Sequence, residues 1–524
     1  MRKAGQLCIF ITVMLNLIGS EAMGQVRGPQ VKTDTGTVEG KTEDGINTFL
    51  GIPFAAPPVG NLRWRPPAPV AKWTEVRNTT EFGAHCMQGP VYGDMVFPDP
   101  GGSEDCLTLN VWVPANAKDL PVMVWFYGGG FVAGGTSEPR QNGHNLAKQE
   151  VVVVSMNYRL GIFGFFAHPG LASEAENHAA GNYGLMDQMA ALQWVQRNIA
   201  GFGGDPRNVT IFGESAGSFS VSAQMASPLA KGLFHKAIGE SGGAFSKEGL
   251  RFRPASERGP EDAKFGQIAL GAKTLAELRA IPAEKVLDAS MRKEGERDVF
   301  SFGPDVDGYF LPKSVPSIFA AGKQNDVPLL AGWNRDEGGF RVLSGKDRPT
   351  AANAKAFAKK EFGPHAGEFL KLYPARTDVE ALRSAEDYSG DQFIAWATWK
   401  WIEAQKTSGK QVVYRYRFDL SLPSADKPEG LGAYHSAEIE YVFGQLDSKK
   451  GIPWRPEDYR LSEQMQKYWA NFARSGDPNG EGLPKWPPYV SENGWQVMHL
   501  SASPAAEKDG IRDRYLFLDR AWGK

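Results

Sequence analysis

The pentapeptide Gly-Glu-Ser-Ala-Gly at 213–217 constrains the fold of this chain more than any other stretch. An apolar run at 209–212 precedes it, and small residues that suit a packed helix follow it to 225. Gly-x-Ser-x-Gly between a strand and a helix is the sequence form of a nucleophile elbow. The glycines are needed because a side chain at either position would collide with the neighbouring strand or helix. The motif therefore predicts Ser215 as a nucleophile at the edge of a sheet.

A second stretch, Gly-Glu-Ser-Gly-Gly at 239–243, fits the same pattern, so five residues alone do not identify the serine. The residues that follow each match distinguish the two. Ser215 is followed by a run that can continue as a helix, whereas Ser241 is followed by Gly-Gly-Ala, a poor way to begin one. We therefore favour Ser215 over Ser241 as the nucleophile.

Further apolar runs indicate the rest of the fold. Residues 122–127 and 151–159 have the continuous apolar character of strands that are covered on both faces. Residues 187–198 have helical spacing, and 246–328 and 351–407 are mostly helical. Strands that alternate with helices predict an α/β fold, with a large, mostly parallel central sheet, helices on both faces and helical insertions.

Charge and length limit the class of protein. The chain has 58 Lys and Arg residues against 60 Asp and Glu, a formal net charge of −2, and the two signs are evenly mixed. This balance gives no electrostatic case for binding nucleic acid or an anionic membrane surface. The length of 524 residues permits several domains, but no linker and no internal repeat argues for a split. We predict a single domain over residues 25–524.

The first 24 residues have the character of a signal peptide. Arg2 and Lys3 precede an apolar run at 7–18, and the small residues Ala22 and Gly24 follow it. The run is too short to span a bilayer as a stable helix, so no stable membrane insertion is expected. We predict cleavage after Gly24 or Ala22 and a secreted or periplasmic protein. The alternative is a buried N-terminal helix.

Removal of this segment, with Cys8, leaves two cysteines, Cys86 and Cys106. An even number of cysteines in an exported chain suggests one disulfide, which would close a loop of about twenty residues. The alternative is two unrelated buried thiols. No group of cysteines and histidines has the spacing of a metal site.

A serine nucleophile needs a base within hydrogen-bond reach and a carboxylate that orients the base. In elbow folds these partners follow in the order serine, acid, histidine. His365, His435 and His499 remain, because the other five histidines come before Ser215 or too soon after it. His435 is favoured over the other two since it stands among small residues on a loop just after a predicted strand at 412–418.

The acid and the oxyanion donors are less determined by the residues themselves. Asp336 and Glu337 both follow a buried strand, where ligands collect in open α/β sheets. The residues alone leave this choice open, and such a pair is often a solvated turn. The glycines at 128–130 follow another strand and offer bare N–H groups to an oxyanion, as does the N–H of Ala216.

Taken together, these motifs resemble the type-B carboxylesterase/lipase family, the cholinesterase-like branch of the α/β-hydrolases. The resemblance covers nearly the whole chain after the signal peptide, and its markers are long. They are Phe-Leu-Gly-Ile-Pro-Phe-Ala at 49–55, Ser-Glu-Asp-Cys-Leu-Thr-Leu-Asn at 103–110, Tyr-Gly-Gly-Gly-Phe at 127–131, Asn-Tyr-Arg-Leu-Gly at 157–161, Gly-Asn-Tyr-Gly-Leu-Met-Asp-Gln at 181–188, and the run from Trp194 into the elbow.

The resemblance implies an α/β-hydrolase fold and a set of site residues. It implies Ser215 as nucleophile, Glu337 rather than Asp336 as acid, His435 as base, and Gly129, Gly130 and Ala216 as oxyanion donors. It further implies a hydroxyl near the acid, a disulfide and two buried ion pairs, namely Ser241, Cys86–Cys106, Arg63–Glu104 and Arg159–Asp187.

Two features depart from the cholinesterase pattern. No tryptophan occurs at 87–105, where cholinesterases carry the ring that stacks on a quaternary ammonium, and Val-Phe-Pro at 96–98 takes its place. A cation–π site for choline is therefore not expected. The cysteines of the family's second disulfide are also absent from the sequence.

These observations predict a secreted serine carboxylesterase that forms an acyl-serine intermediate on a small-molecule ester and needs no metal or organic cofactor. One alternative is hydrolysis of a related acyl bond, such as an amide, carbamate or lactone. A less favoured alternative is a non-catalytic, cholinesterase-like binding module, although such modules lack a member of the triad. The oligomeric state does not follow from the sequence.

Overall fold

The computed structural model describes residues 28–246, 251–294, 297–339 and 347–522. The predicted signal peptide, residues 1–24, lies outside the described residues, so its prediction remains untested.

One large sheet organises the described part of the chain. Its eleven strands, in chain order, are β1 (Lys41–Glu43), β2 (Ile46–Pro53), β3 (Thr108–Pro114), β4 (Leu120–Phe126), β5 (Val152–Met156), β6 (Gly204–Glu214), β7 (Lys236–Glu240), β8 (Leu329–Asn334), β9 (Val413–Phe418), β10 (Gln496–Leu500) and β11 (Ala505–Lys508). Their order across the sheet is β11-β10-β9-β8-β7-β6-β4-β5-β3-β2-β1. All neighbours from β10 to β5 run parallel, and the outer pairs run antiparallel. The predicted mostly parallel sheet is confirmed.

The α-helices lie between these strands and in the predicted helical insertions. They are α1 (His144–Ala147), α2 (Gly161–Phe165), α3 (Pro169–Glu174), α4 (Tyr183–Asn198), α5 (Ala216–Ala226), α6 (Ala255–Ile268), α7 (Leu275–Ala280), α8 (Ala283–Ser290), α9 (Val315–Ala320), α10 (Ala351–Phe362), α11 (Ala366–Leu372), α12 (Asp378–Gly390), α13 (Trp396–Ser408), α14 (Ile439–Phe443), α15 (Pro456–Ser475) and α16 (Arg512–Trp522). A π-helical turn, Asp391–Ala395, joins α12 to α13.

Helices cover both faces of the sheet, and two successive residues of β7 show this. Side chains alternate between the faces of a strand. A Cβ on Gly239 would collide with Trp401 of α13, whereas Glu240 accepts a hydrogen bond from Trp469 of α15 on the opposite face. Every residue of β5 and β7 is buried, as expected for strands enclosed between two layers of helices.

The parallel strands determine where the candidate residues meet. Because β4, β6, β7, β8 and β9 are mutually parallel, their carboxyl ends lie at one edge of the sheet. The loops that follow them carry the predicted oxyanion glycines, the two elbow-like serines, the acid and the histidine.

Candidate active site

Ser215 lies in a strained turn between β6 and α5. Its backbone has φ 54° and ψ −123°, a conformation that residues with a side chain rarely adopt. The carbonyl oxygen of Phe126 in β4 lies so close that a Cβ on Gly217 would collide with it, and a Cβ on Gly213 would lie 2.6 Å from it. The glycines of the motif are therefore required by close packing of the turn, and helix α5 begins directly after the serine.

Ser241 also has a positive φ, 51°, but no α-helix begins after it. Its hydroxyl donates to Glu337 Oε1 at 2.6 Å and lies 3.3 Å from Glu438 Oε1. The structure therefore places Ser241 against the candidate acid. This is the position that the family resemblance implied for it.

Two hydrogen bonds join the three predicted triad residues in a row. His435 Nε2 lies 2.9 Å from Ser215 Oγ, and His435 Nδ1 lies 2.6 Å from Glu337 Oε2. Ser215 and Glu337 are each 8% exposed, and the His435 side chain is 27% exposed. The base is thus the most accessible member of the row, and the acid lies behind it.

The loop after β9 presents His435. The loop is tied to the segment after β8, since Ala433 N donates to Asp336 Oδ2 and Asp336 N donates to Ala433 O, both at 2.9 Å. Ser436, directly after the histidine, has a positive φ of 70°. The ring of Phe393, in the π-helical turn, packs edge-on against the imidazole with 5.0 Å between ring centroids.

Asp336 and Glu337 are adjacent in sequence, but their carboxylates face different partners. Asp336 forms ion pairs with Arg335 and Arg383, each at 2.7 Å. Burial would raise the pKa of Asp336, but hydrogen bonds from the two arginines outweigh it and lower the pKa to about 2. Glu337 instead accepts hydrogen bonds from Ser241 and from Asn334 N, and its second oxygen faces His435.

The two histidines that the sequence left as alternatives lie in other surroundings. His365 is exposed and ends a short 3₁₀ turn. His499 lies on β10, where its Nδ1 is 2.6 Å from Asp419. In the described part of the chain, neither has a serine as a hydrogen-bond partner.

The glycine turn after β4 forms one wall of the site. Gly129, Gly130 and Phe131 have positive φ values of 101°, 63° and 63°. Among the described residues, none accepts a hydrogen bond from the N–H groups of Gly129, Gly130 or Ala216. An oxyanion site requires such free backbone donors. The turn approaches the serine at Gly128, where a Cβ would lie 3.1 Å from Ser215 Cβ.

Residues of the loop between Cys86 and Cys106 lie over this turn. A Cβ placed on Gly130 would lie 3.1 Å from the hydroxyl of Tyr92, and one placed on Gly129 would lie 3.2 Å from the methyl group of Met95. The same loop encloses a cavity of about 190 Å³ that reaches Ala133.

A second carboxylate faces the candidate base, and sequence reasoning did not find it. Glu214 Oε1 lies 3.3 Å from His435 Nε2. Burial raises the pKa of Glu214. Burial would lower the pKa of His435, but the carboxylates of Glu214 and Glu337 outweigh it and raise this pKa. The only sequence signal was the position of Glu214 directly before the nucleophile.

Two further buried carboxyl groups stand behind the site. Glu438 accepts from Asn334 Nδ2 at 2.6 Å, and Glu240 accepts from Trp469 Nε1 at 2.7 Å. Both side chains are fully buried, and burial raises the pKa of each. Glu240 lies opposite Glu214 in the register of β6 and β7. Sequence reasoning missed both residues, since only the strand register and the loop path bring them to the site.

The remaining predicted pairs are also brought together. The guanidinium of Arg63 donates to Glu104 at 2.6 and 2.5 Å, and that of Arg159 donates to Asp187 twice at 2.8 Å. Both arginines are at most 5% exposed. A disulfide joins Cys86 to Cys106, across 20 residues of sequence.

Neither a metal cluster nor a membrane-spanning helix occurs among the described residues. They contain no group of three or more His, Cys, Asp or Glu side chains arranged to hold a metal ion. They also contain no helix with the length and apolar character that a membrane crossing needs.

The arrangement can carry out acyl transfer. A hydroxyl is hydrogen-bonded to an imidazole, and the imidazole to a buried carboxylate. Free N–H groups belong to the adjoining glycine turn and to the residue after the serine. These are the groups that nucleophilic attack on a carbonyl and stabilisation of the resulting oxyanion require.

Comparisons with known proteins agree with this chemistry. The profile described as "Carboxylesterase family" matches residues 27–517. The liver carboxylesterase of Sus scrofa is 38% identical over 93% of this chain and 90% of its own length. The fumonisin B1 esterase of Sphingopyxis macrogoltabida is 36% identical over 92% and 89%. A solved PNB esterase superposes with a TM-score of 0.77 at 35% identity, over 93% of this chain and 99% of that one.

Proposed function

Because the chain belongs to the carboxylesterase family and is a carboxylic ester hydrolase with the α/β-hydrolase fold, we propose that it hydrolyses esters through an acyl-enzyme on Ser215. In this proposal His435 is the general base, Glu337 orients it, and Gly129, Gly130 and Ala216 donate to the oxyanion. The observation that carries the proposal is the row of hydrogen bonds, 2.9 and 2.6 Å long, that links serine, histidine and glutamate.

The acylation step begins at the serine hydroxyl. His435 Nε2 takes the proton of Ser215 Oγ as this oxygen attacks the ester carbonyl carbon. The carbonyl oxygen becomes an oxyanion, which accepts hydrogen bonds from the three free N–H groups. His435 then gives its proton to the ester oxygen of the leaving alcohol. The bond between the acyl carbon and that oxygen breaks, the oxyanion returns to a carbonyl, and the alcohol leaves.

Deacylation repeats these steps with water. His435 takes a proton from a water molecule, and the hydroxide attacks the acyl carbon attached to Ser215 Oγ. When the second oxyanion collapses, the serine oxygen leaves and recovers the proton from His435, and the carboxylic acid is released. Glu337 accepts the hydrogen bond from Nδ1–H throughout and stabilises the imidazolium that forms in each step.

Two matched serine variants test the assignment. Ser215→Ala is expected to lower kcat on a p-nitrophenyl ester by at least about 10⁴-fold, because the nucleophile is gone. Ser241→Ala removes the hydrogen bond to the acid and the contact with Glu438, and it is expected to lower kcat by roughly tenfold. Both substitutions delete one hydroxyl at an elbow-like turn, so each controls for the other. Loss of activity in Ser241→Ala with turnover retained in Ser215→Ala would overturn the proposal.

Export is the second part of the proposal. The basic start, short apolar run and small residues before residue 25 support a cleaved signal peptide, and a disulfide suits an oxidising compartment. Expression of the full chain with its leader is expected to deliver to the medium or periplasm a protein whose mass begins near Gln25. An intact N-terminus in the cytoplasm would contradict export, but it would not affect the catalytic assignment.

A further inference from the structure

Arg140 connects three segments around the proposed site. Its Nη1 lies 3.4 Å from Ser436 Oγ, directly after His435. Its Nε lies 2.6 Å from Glu138 Oε1, and its Nη1 lies 3.9 Å from Asp94 in the disulfide loop. The arginine side chain is 11% exposed. Arg140 thus joins the segment that follows the glycine turn to the histidine loop and to the rim of the site.

Arg140 also acts on the carboxylates around the base. Burial would lower the pKa of its guanidinium, but Glu138, Glu440 and Glu214 outweigh burial and raise this pKa. In turn, Arg140 opposes the effect of burial on the pKa of Glu214. Glu214 lies 3.3 Å from His435 Nε2, so Arg140 affects the pKa of the base through this carboxylate.

A second cation holds the other side of the same loop. Lys449 Nζ donates to the hydroxyl of Tyr434 at 2.6 Å and to Glu440 Oε1 at 3.2 Å. Tyr434 and Ser436 are the chain neighbours of His435. Arg140 therefore contacts Ser436 on one side of the base, and Lys449 contacts Tyr434 on the other. The almost fully buried Glu440 interacts with both cations.

We propose that Arg140 is a positioning residue of the ester hydrolase, which fixes the loop of His435 against the segment after the oxyanion turn and offsets the negative charge around the base. The inference rests on the proposed function. Arg140 acts through Ser436 and Glu214, and it takes no part in the bond-making steps. The contacts were not predictable from the sequence, because Arg140 and Ser436 are 296 residues apart.

Loss of Arg140 should change the pH dependence through Glu214. The charged groups that face His435 or Arg140 include Glu214, Glu337, Glu438, Glu138, Glu440 and Asp94, and Lys449 pairs with Glu440. Without the charge of Arg140, burial raises the pKa of Glu214 further, so this carboxyl holds its proton more tightly. A neutral Glu214 does not stabilise the imidazolium, so the base becomes neutral at lower pH. Loss of Arg140 should therefore move the acidic limb of kcat/KM to lower pH.

Three variants of the full-length protein test this inference, with p-nitrophenyl acetate as substrate. Arg140→Gln is expected to lower kcat about tenfold, to leave KM within about twofold, and to move the acidic limb down by about half a pH unit. Arg140→Lys keeps the charge and should restore the position of the limb. Arg512→Gln removes an arginine of α16 that pairs with Glu403 of α13, and it should change neither kcat nor the limb.

A second variant, which should move the acidic limb in the opposite direction, tests the inference if Arg140→Gln does not fold. Glu138→Gln removes a carboxylate that acts on Arg140 and raises the pKa of Glu214. Glu214 is then more readily ionised and stabilises the imidazolium, so the acidic limb should move to higher pH. Wild-type kcat and an unmoved limb in Arg140→Gln, or a limb that moves down in Glu138→Gln, would overturn the inference. Absence of ester turnover in the wild-type protein would instead overturn the proposed function.

Discussion

His435 lies between two carboxylates, and this arrangement governs how the proposed base titrates. Glu337 contacts Nδ1 at 2.6 Å, and Glu214 approaches Nε2 at 3.3 Å from the side of the nucleophile. Both carboxylates stabilise the imidazolium, which is the form that exists in the transition state. The same stabilisation opposes the neutral form that must accept the serine proton.

The first consequence is a shifted pH profile. An ordinary histidine titrates near pH 6.5, and the pKa of His435 is raised above that value by Glu214 and Glu337 against the effect of burial. The base works when neutral, so activity is lost as pH falls through this raised pKa. We expect the acidic limb of kcat/KM to have its midpoint above 6.5.

Glu214→Gln isolates the contribution of the second carboxylate. The amide keeps the shape of the side chain and removes its charge, so the acidic limb should move down by roughly one pH unit. Glu492→Gln, an exposed glutamate on a 3₁₀ turn before β10, is the control and should leave the limb unchanged. A limb that stays in place in Glu214→Gln would show that this carboxylate does not set the charge state of the base.

At the scale of elements, the disulfide loop is the part of the site whose position depends on a covalent link. Cys86–Cys106 closes the loop that carries Tyr92 and Met95 over the glycine turn. Its other ties include Arg63–Glu104 next to the second cysteine. The loop therefore lies against the glycine turn, whereas the triad residues follow strands of the central sheet.

Replacement of both cysteines by serine should separate these two roles. A closed loop of about 20 residues stabilises the fold by about 3 kcal/mol in the chain-entropy model, so the double variant should unfold at lower denaturant concentration. If the loop contacts substrate, KM should rise while kcat changes little, because the triad stays in place. The oxidised and reduced wild-type protein provide the matched comparison. A fall in kcat with unchanged KM would place the loop in the chemical step instead.

Elements were also the scale at which the sequence was most informative. The apolar run at 151–159 predicted a buried strand, and β5 occupies Val152–Met156 with every residue buried. The helix predicted at 187–198 is the greater part of α4. These features depend on local composition and periodicity, which a sequence displays directly.

Side-chain direction was the feature that the sequence did not display. Asp336 and Glu337 follow the same strand, and only the ion pairs of Asp336 with Arg335 and Arg383 show which carboxylate turns away from the histidine. Glu240 meets Glu214 only through the register of two strands. Such contacts depend on how segments that are distant in sequence are placed in the fold, so local sequence patterns do not predict them.

For the whole molecule, five parallel strands end at one edge of the sheet. The site residues that follow them come from segments spread over more than 300 residues of sequence. The carboxyl ends of β4, β6, β7, β8 and β9 meet at this edge. They are followed by the glycine turn, Ser215, Ser241, Glu337 and His435, respectively. Because the serine, the acid and the histidine follow strands in this chain order, the sequence alone limits the base to a few histidines, His435 among them.

Covalent labelling tests the central claim most directly. The wild-type protein is incubated with a fluorophosphonate, which phosphonylates an activated serine with loss of fluoride, and the modified peptide is identified by mass spectrometry. We predict one adduct per chain, on the peptide that contains Ser215, and no adduct in Ser215→Ala. An adduct on Ser241, or an unmodified chain that still hydrolyses esters, would contradict the account.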